Sequence, residues 1–191
     1  DGAFDLLARS GCAWRAGNGA PDGMPYDSPR RIRFAPFTAL LLRRGLFQQV
    51  GELDERFESY LEDIDFCLRC ALLGIGGVYV PQAVARHEGS ATLGVWSPRI
   101  VRLISRNQVF LIAKHYPEDW PLRLGRAVVA GQLLWGLLAL RHGTGLAWLR
   151  GKSEGVRRMR ELKPQQAPPA VEELLRDSEI EMQSLQRATG Q

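Results

Sequence analysis

The sequence predicts an α/β fold from three neighbouring features: an amphipathic helix, the glycine turn that ends it, and a β-like run after the turn. On a helical wheel, Phe57, Leu61, Ile64, Leu68 and Leu72 share one narrow apolar stripe, and Asp63 lies almost opposite. Gly74 supplies the stop, because glycine takes the left-handed conformation that closes a helix. Residues 77–81 (GVYVP) are rich in β-formers and end at proline, and residues 83–87 form a second candidate extended piece. A helix feeding a strand in this way directs attention to strand ends, where α/β proteins carry ligands.

Taken in order, residues 1–33 are rich in Gly, Pro and Asp, and Phe4, Leu6, Leu7 and Trp14 are candidates to anchor short strands. Residues 17–23 (GNGAPDG) suggest a phosphate loop only superficially. No Gly-Lys-Ser/Thr follows, so a hairpin or surface loop is expected. Residues 34–43 (FAPFTALLLR) predict a buried strand. The acidic run Glu52, Asp54, Glu55, Glu58, Glu62 and Asp63 offers several caps, with a helix start expected near Glu62. Glu62, Asp65 and Arg69 gather on a third side of this helix, and Asp65 and Arg69, four apart, are placed to pair.

Residues 98–116 predict an amphipathic helix with a basic side of Arg99, Arg102, Arg106 and Lys114. The uncharged stretch 127–140 is too short for an ordinary membrane span and predicts a buried or interfacial helix. Residues 141–163 are basic and follow several Trp and Leu residues, so they predict either a segment on anionic lipid or a solvated helix face. Residues 165–169 read as a linker and 171–185 as a charged helix that either pairs or stays loose. The corresponding division is 1–116, 117–163 and 164–191.

At 191 residues, 45% hydrophobic and 24% charged, the chain is long enough for a sizeable core. A net charge of +4 implies mild affinity for anionic partners, and nucleic acid is not an expected one. Cys12, Cys67 and Cys70 cannot all pair within one chain, which disfavours a secreted disulfide scaffold and fits a reducing, cytoplasmic setting. Cys67 and Cys70 spell C-x-x-C in mid-helix without a second pair, so two buried thiols are expected. With no signal peptide and Asp1 as its first residue, the chain is expected to be cut from something longer.

From the residues alone, Asp63 either complements a helix dipole or acts as a base. His87 is either a loop histidine or a ligand, and Trp96 either stacks on an acceptor or packs. The order G-x-LDERF-x-x-YLEDIDFCLR, then VYVP-x-A and H-x-G-S-A, resembles the carboxyl-terminal half of the catalytic domain of family 2 inverting glycosyltransferases, the bacterial rhamnosyltransferase-like enzymes of GT-A fold. The resemblance covers roughly residues 34–116; R-N-Q-x-x-x-x-x-K-H-Y-P at residues 106–117 also resembles the family, where a helix here closes over the active-site face. It implies a GT-A half-domain followed by α-helices, with Asp63 as the general base that deprotonates the acceptor hydroxyl and Glu62 orienting it. It further implies that His87 ligates a Mg²⁺ or Mn²⁺ ion on the donor diphosphate, and that Trp96, Arg69 and Asp65 lie on the substrate side. The expected partners are a nucleotide-sugar donor, a glycan acceptor of cell-surface polysaccharide synthesis and an anionic membrane at the inner face. The competing expectation is a non-enzymatic membrane-associated or partner-binding module. No Asp-x-Asp occurs before Phe34, so the nucleotide-binding half is expected upstream, and the chain alone is expected to be catalytically silent.

Overall fold

The computed structural model describes residues 2–87, 94, 96–162 and 170–190. Near the amino terminus, β1 (Asp5–Leu7) and β2 (Ala13–Arg15) pair antiparallel with Leu6 opposite Trp14. β3 (Arg30–Ile32) pairs antiparallel with β4 (Gly77–Tyr79), and a single bridge joins Asp5 to Phe34. Helices make up much of the rest, so the fold is mixed helix and small sheets, a composition compatible with the α/β expectation.

The strand expected over residues 34–43 does not form. Phe34 is buried and bridged, but Pro36 has no N–H to donate and Leu41 is 98% exposed. A strand needs a hydrogen-bonding neighbour along its length, and the described residues offer one only at Phe34. Residues 83–87 likewise leave no ladder. β4 stops at Tyr79, Pro81 follows, and the amides of Ala83 and Val84 bond locally to Val80 and Gln82.

After α1 (Gly45–Val50) comes α2 (Glu62–Leu72), which starts and stops where the sequence indicates. Gly74 has φ +73°, its N–H bonds Ala71 O and the Ile75 N–H bonds Cys70 O, the paired closure that satisfies the last carbonyls. The single apolar stripe understates the burial: Asp65, Phe66 and Arg69 are buried along with Ile64 and Leu68. α3 (Pro98–His115) is capped by the Ser97 hydroxyl on Ile100 N, and its last turn reaches Asp65 of α2 through Lys114 and His115.

α4 (Trp120–Arg123), α5 (Gly125–Arg141) and α6 (Gly145–Arg158) follow, and α6 packs most closely on α3. A Cβ on Gly151 would lie 2.3 Å from Arg102 O, so only glycine permits this approach of the two helices. α7 (Ala170–Thr189) does not stay loose: Ser178 Oγ accepts the Leu7 N–H at 2.9 Å, and Arg9 and Arg30 pair with Glu179 and Glu181. Leu7, Phe34, Phe57, Leu68, Phe110 and Leu175 belong to one apolar core. The expected linker 165–169 lies outside the described residues. No described helix is long and apolar enough to cross a membrane.

Candidate functional site

The approach to Asp63 is a strained turn. Glu58, Tyr60 and Leu61 have φ of 59°, 70° and 68°, a left-handed region that side chains other than glycine enter at a cost. What holds the turn is α3. Asn107 Nδ2 donates to the carbonyls of Phe57, Ser59 and Tyr60 at 2.8, 2.9 and 2.6 Å. Arg106, only 1% exposed, donates to Phe57 O at 2.8 Å, pairs with Glu58 and Glu154, and donates from Nε to Asn107 Oδ1.

Leu61 therefore enters α2 without a side-chain cap, and the first turn carries Glu62, Asp63 and Asp65 against the positive helix end. Asp63 is half-buried; its Oδ1 accepts the Ile64 N–H at 2.8 Å and its Oδ2 the Phe37 N–H at 3.5 Å. The carboxylate is thus oriented by two backbone donors while part of it meets solvent. Glu62 Oε2 is buried without a hydrogen-bond partner among the described residues. Burial, and then the charge of Asp63, push its carboxyl above the usual glutamate range.

One turn further, Asp65 is fully buried and ionically locked. Arg69 Nε donates to its Oδ2 at 3.1 Å, while Lys114 Nζ and His115 Nε2 lie 2.8 and 2.7 Å from its Oδ1. Lys114 also reaches Asp54 at 2.8 Å, and Arg69 donates onward to the carbonyls of Val50 and Glu52. Burial alone would raise the Asp65 pKa, but the hydrogen bond and charge of His115, with the charge of Lys114, outweigh it and hold the carboxylate low. Burial lowers the His115 pKa, against the opposing hydrogen bond and charge of Asp65.

The expected Asp65–Arg69 pair is present, as an interior tie between α2, α3 and the loop before them. The supposed basic side of α3 divides instead: Arg102 is exposed, whereas Arg106 and Lys114 turn inward. Sequence reasoning placed Arg106, Asn107, Lys114 and His115 in the R-N-Q and K-H-Y-P motif of the resemblance but gave none of them a role. Their signal was a polar cluster within an otherwise apolar helical period.

His87 is exposed beyond β4, and residues 88–93 after it lie outside the described residues. Trp96 stacks with Trp135 at 5.2 Å and with the His142 ring at 4.0 Å, between centroids. Cys67 and Cys70 are buried free thiols, and burial pushes Cys67 up to about 12. Among the described residues no group of three His, Cys, Asp or Glu converges as a metal ion would require, so they do not by themselves fit Mg²⁺ or Mn²⁺.

Two curated proteins resemble the chain, both N-acetylglucosaminyl-diphospho-decaprenol L-rhamnosyltransferase of Mycobacterium tuberculosis, from strains CDC 1551 / Oshkosh and ATCC 25618 / H37Rv. Each is 33% identical over 102 residues, which is 50% of this chain and 33% of the relative. The chain therefore covers about a third of the curated relatives it matches, and the similarity supports a glycosyltransferase-like relationship. No family model matches, and neither does any solved structure.

Proposed function

We propose that this chain is the acceptor-side portion of an inverting, GT-A, family 2 glycosyltransferase that uses a nucleotide-sugar donor in cell-surface polysaccharide synthesis. The observation that carries the reading is the half-exposed Asp63 carboxylate, oriented by backbone donors on a helix locked beneath it through Asp65, in a chain similar to a rhamnosyltransferase. The relatives' name describes N-acetylglucosaminyl-diphospho-decaprenol and L-rhamnose. A glycan acceptor carried on a lipid diphosphate is accordingly the acceptor class proposed for this chain.

In this mechanism Asp63 takes the proton from the acceptor hydroxyl as its oxygen attacks the anomeric carbon. The bond from that carbon to the diphosphate breaks on the opposite side, so the configuration inverts. Glu62 holds its own proton to higher pH than an exposed glutamate and serves to orient the base. Asp65 and Arg69 act on the substrate side through the backbone they fix, and Trp96, whose ring stacks on Trp135 and His142, serves by packing. His87 is a donor-side ligand for a divalent cation, but such an ion prefers several oxygen ligands that the described residues do not supply, and no step here depends on it. The cytoplasmic face of the membrane is the proposed setting.

The test is Asp63→Asn in the full gene product, assayed with dTDP- and UDP-sugars and a polyprenyl-diphosphate-linked acceptor. Turnover should fall about 10²-fold or more with donor binding near normal. Turnover within about threefold of the parent excludes Asp63 as the base. A second reading, a binding module without catalysis, is favoured by the outward apolar face of α5 and requires no transfer under any of these conditions.

A further inference from the structure

We infer that the outward faces of α5 and α6 seat this protein on a membrane surface that carries anionic lipids. α5 is packed with its small residues inward: Gly136 and Ala139 are buried, together with Val128. Its large side chains face out, with Val129, Leu133, Leu134, Leu137, Leu138 and Leu140 each 47–66% exposed. These positions recur at the helical period, so they form one stripe rather than scattered residues. On α6, Leu146, Leu149 and Val156 are exposed in the same way.

The charge around this stripe selects the occupant. From Trp120 to Ser153 the sequence holds no aspartate or glutamate, while Arg126 and Arg141 bracket the exposed stripe of α5. Arg150 and Arg157 stand beside Leu149 and, with Arg102, line an open cavity of about 410 Å³. The acidic residue at that cavity, Glu154, is already engaged by Arg102, Arg106 and Arg158. A second copy of the chain would bring these arginines against their own kind. Anionic headgroups neutralise them, and acyl chains take up the leucines, while the long arginine stems let charge and apolar surface share one plane. At 17 residues, α5 extends about 25 Å and suits a helix lying in the interface rather than crossing it.

This surface deepens the membrane setting proposed above by naming the residues that make it, and its test needs no activity. The 191-residue chain is mixed with vesicles of phosphatidylcholine, with and without phosphatidylglycerol. Binding should be at least about tenfold tighter with phosphatidylglycerol and should weaken as salt rises. Arg150→Gln and Arg157→Gln should each lower partition about fivefold, and Leu134→Ser with Leu137→Ser about tenfold or more, in chains whose circular dichroism is unchanged. In the unaltered chain, brominated acyl chains should quench tryptophan fluorescence. Equal binding to both vesicle types, absence of quenching, or conversion of a dimer to a monomer by the leucine substitutions would each overturn the inference.

Discussion

Asn107 Nδ2 on α3 lies 2.6 Å from the carbonyl oxygen of Tyr60, a residue with φ of 70° just before the acidic start of α2. A buried amide on one helix thus holds a left-handed turn on another segment, and that turn sets where Asp63 begins its helix.

Asn107→Ala should cost about 2–4 kcal/mol, because the carbonyls of Phe57, Ser59 and Tyr60 lose a buried donor and the turn loses the contact that offsets its strain. Urea unfolding measures the loss, and limited proteolysis should reveal new cleavage at residues 58–61. A cost below about 1 kcal/mol would show that Arg106 holds the turn without it.

Replacing Asp65 and replacing Asp63 should separate stability from the site. Asp65→Asn leaves Arg69 and Lys114 buried without their shared carboxylate and should destabilise by about 3–5 kcal/mol. Asp63→Asn, at a half-exposed first-turn position, removes a favourable helix-dipole interaction and should cost only about 0.3–1 kcal/mol. Paired denaturation curves check the difference; similar losses would assign Asp63 to the structural lock as well.

Acid should weaken the fold earlier than carboxylates alone predict. The His115 pKa is lowered in the folded chain, so below the ordinary value of 6.5 the unfolded chain takes up the proton first and stability falls with pH. Asp65, also lowered, adds its loss further down, as pH falls through its folded value. The melting temperature should decline from about pH 6.5 downward, and His115→Gln should flatten the upper part of that decline relative to its own value at neutral pH. An unchanged slope in the variant would remove His115 as the source.

The local grammar of the chain was legible in its residues. Period and punctuation pointed to α2 from near Glu62 to its glycine stop, to helices over 98–116 and 127–140 that form at 98–115 and 125–141, and to a β-run over 77–81 that forms at 77–79, because capping, turn chemistry and apolar spacing act over a few residues. The pairing of Asp65 with Arg69 was visible for the same reason, since one helical turn joins them. Tertiary structure decided the rest. Apolar content alone suggested a strand at 34–43, but a strand depends on distant hydrogen-bonding neighbours, and only Phe34 has one among the described residues. Arg106 and Lys114 looked like solvated charges, yet they lie inside because Glu58, Glu154, Asp54 and Asp65 converge on them from separate segments. Periodicity assigns a residue to a face of its helix; what covers that face, and so whether a charge is screened or locked, is fixed only when the other segments arrive.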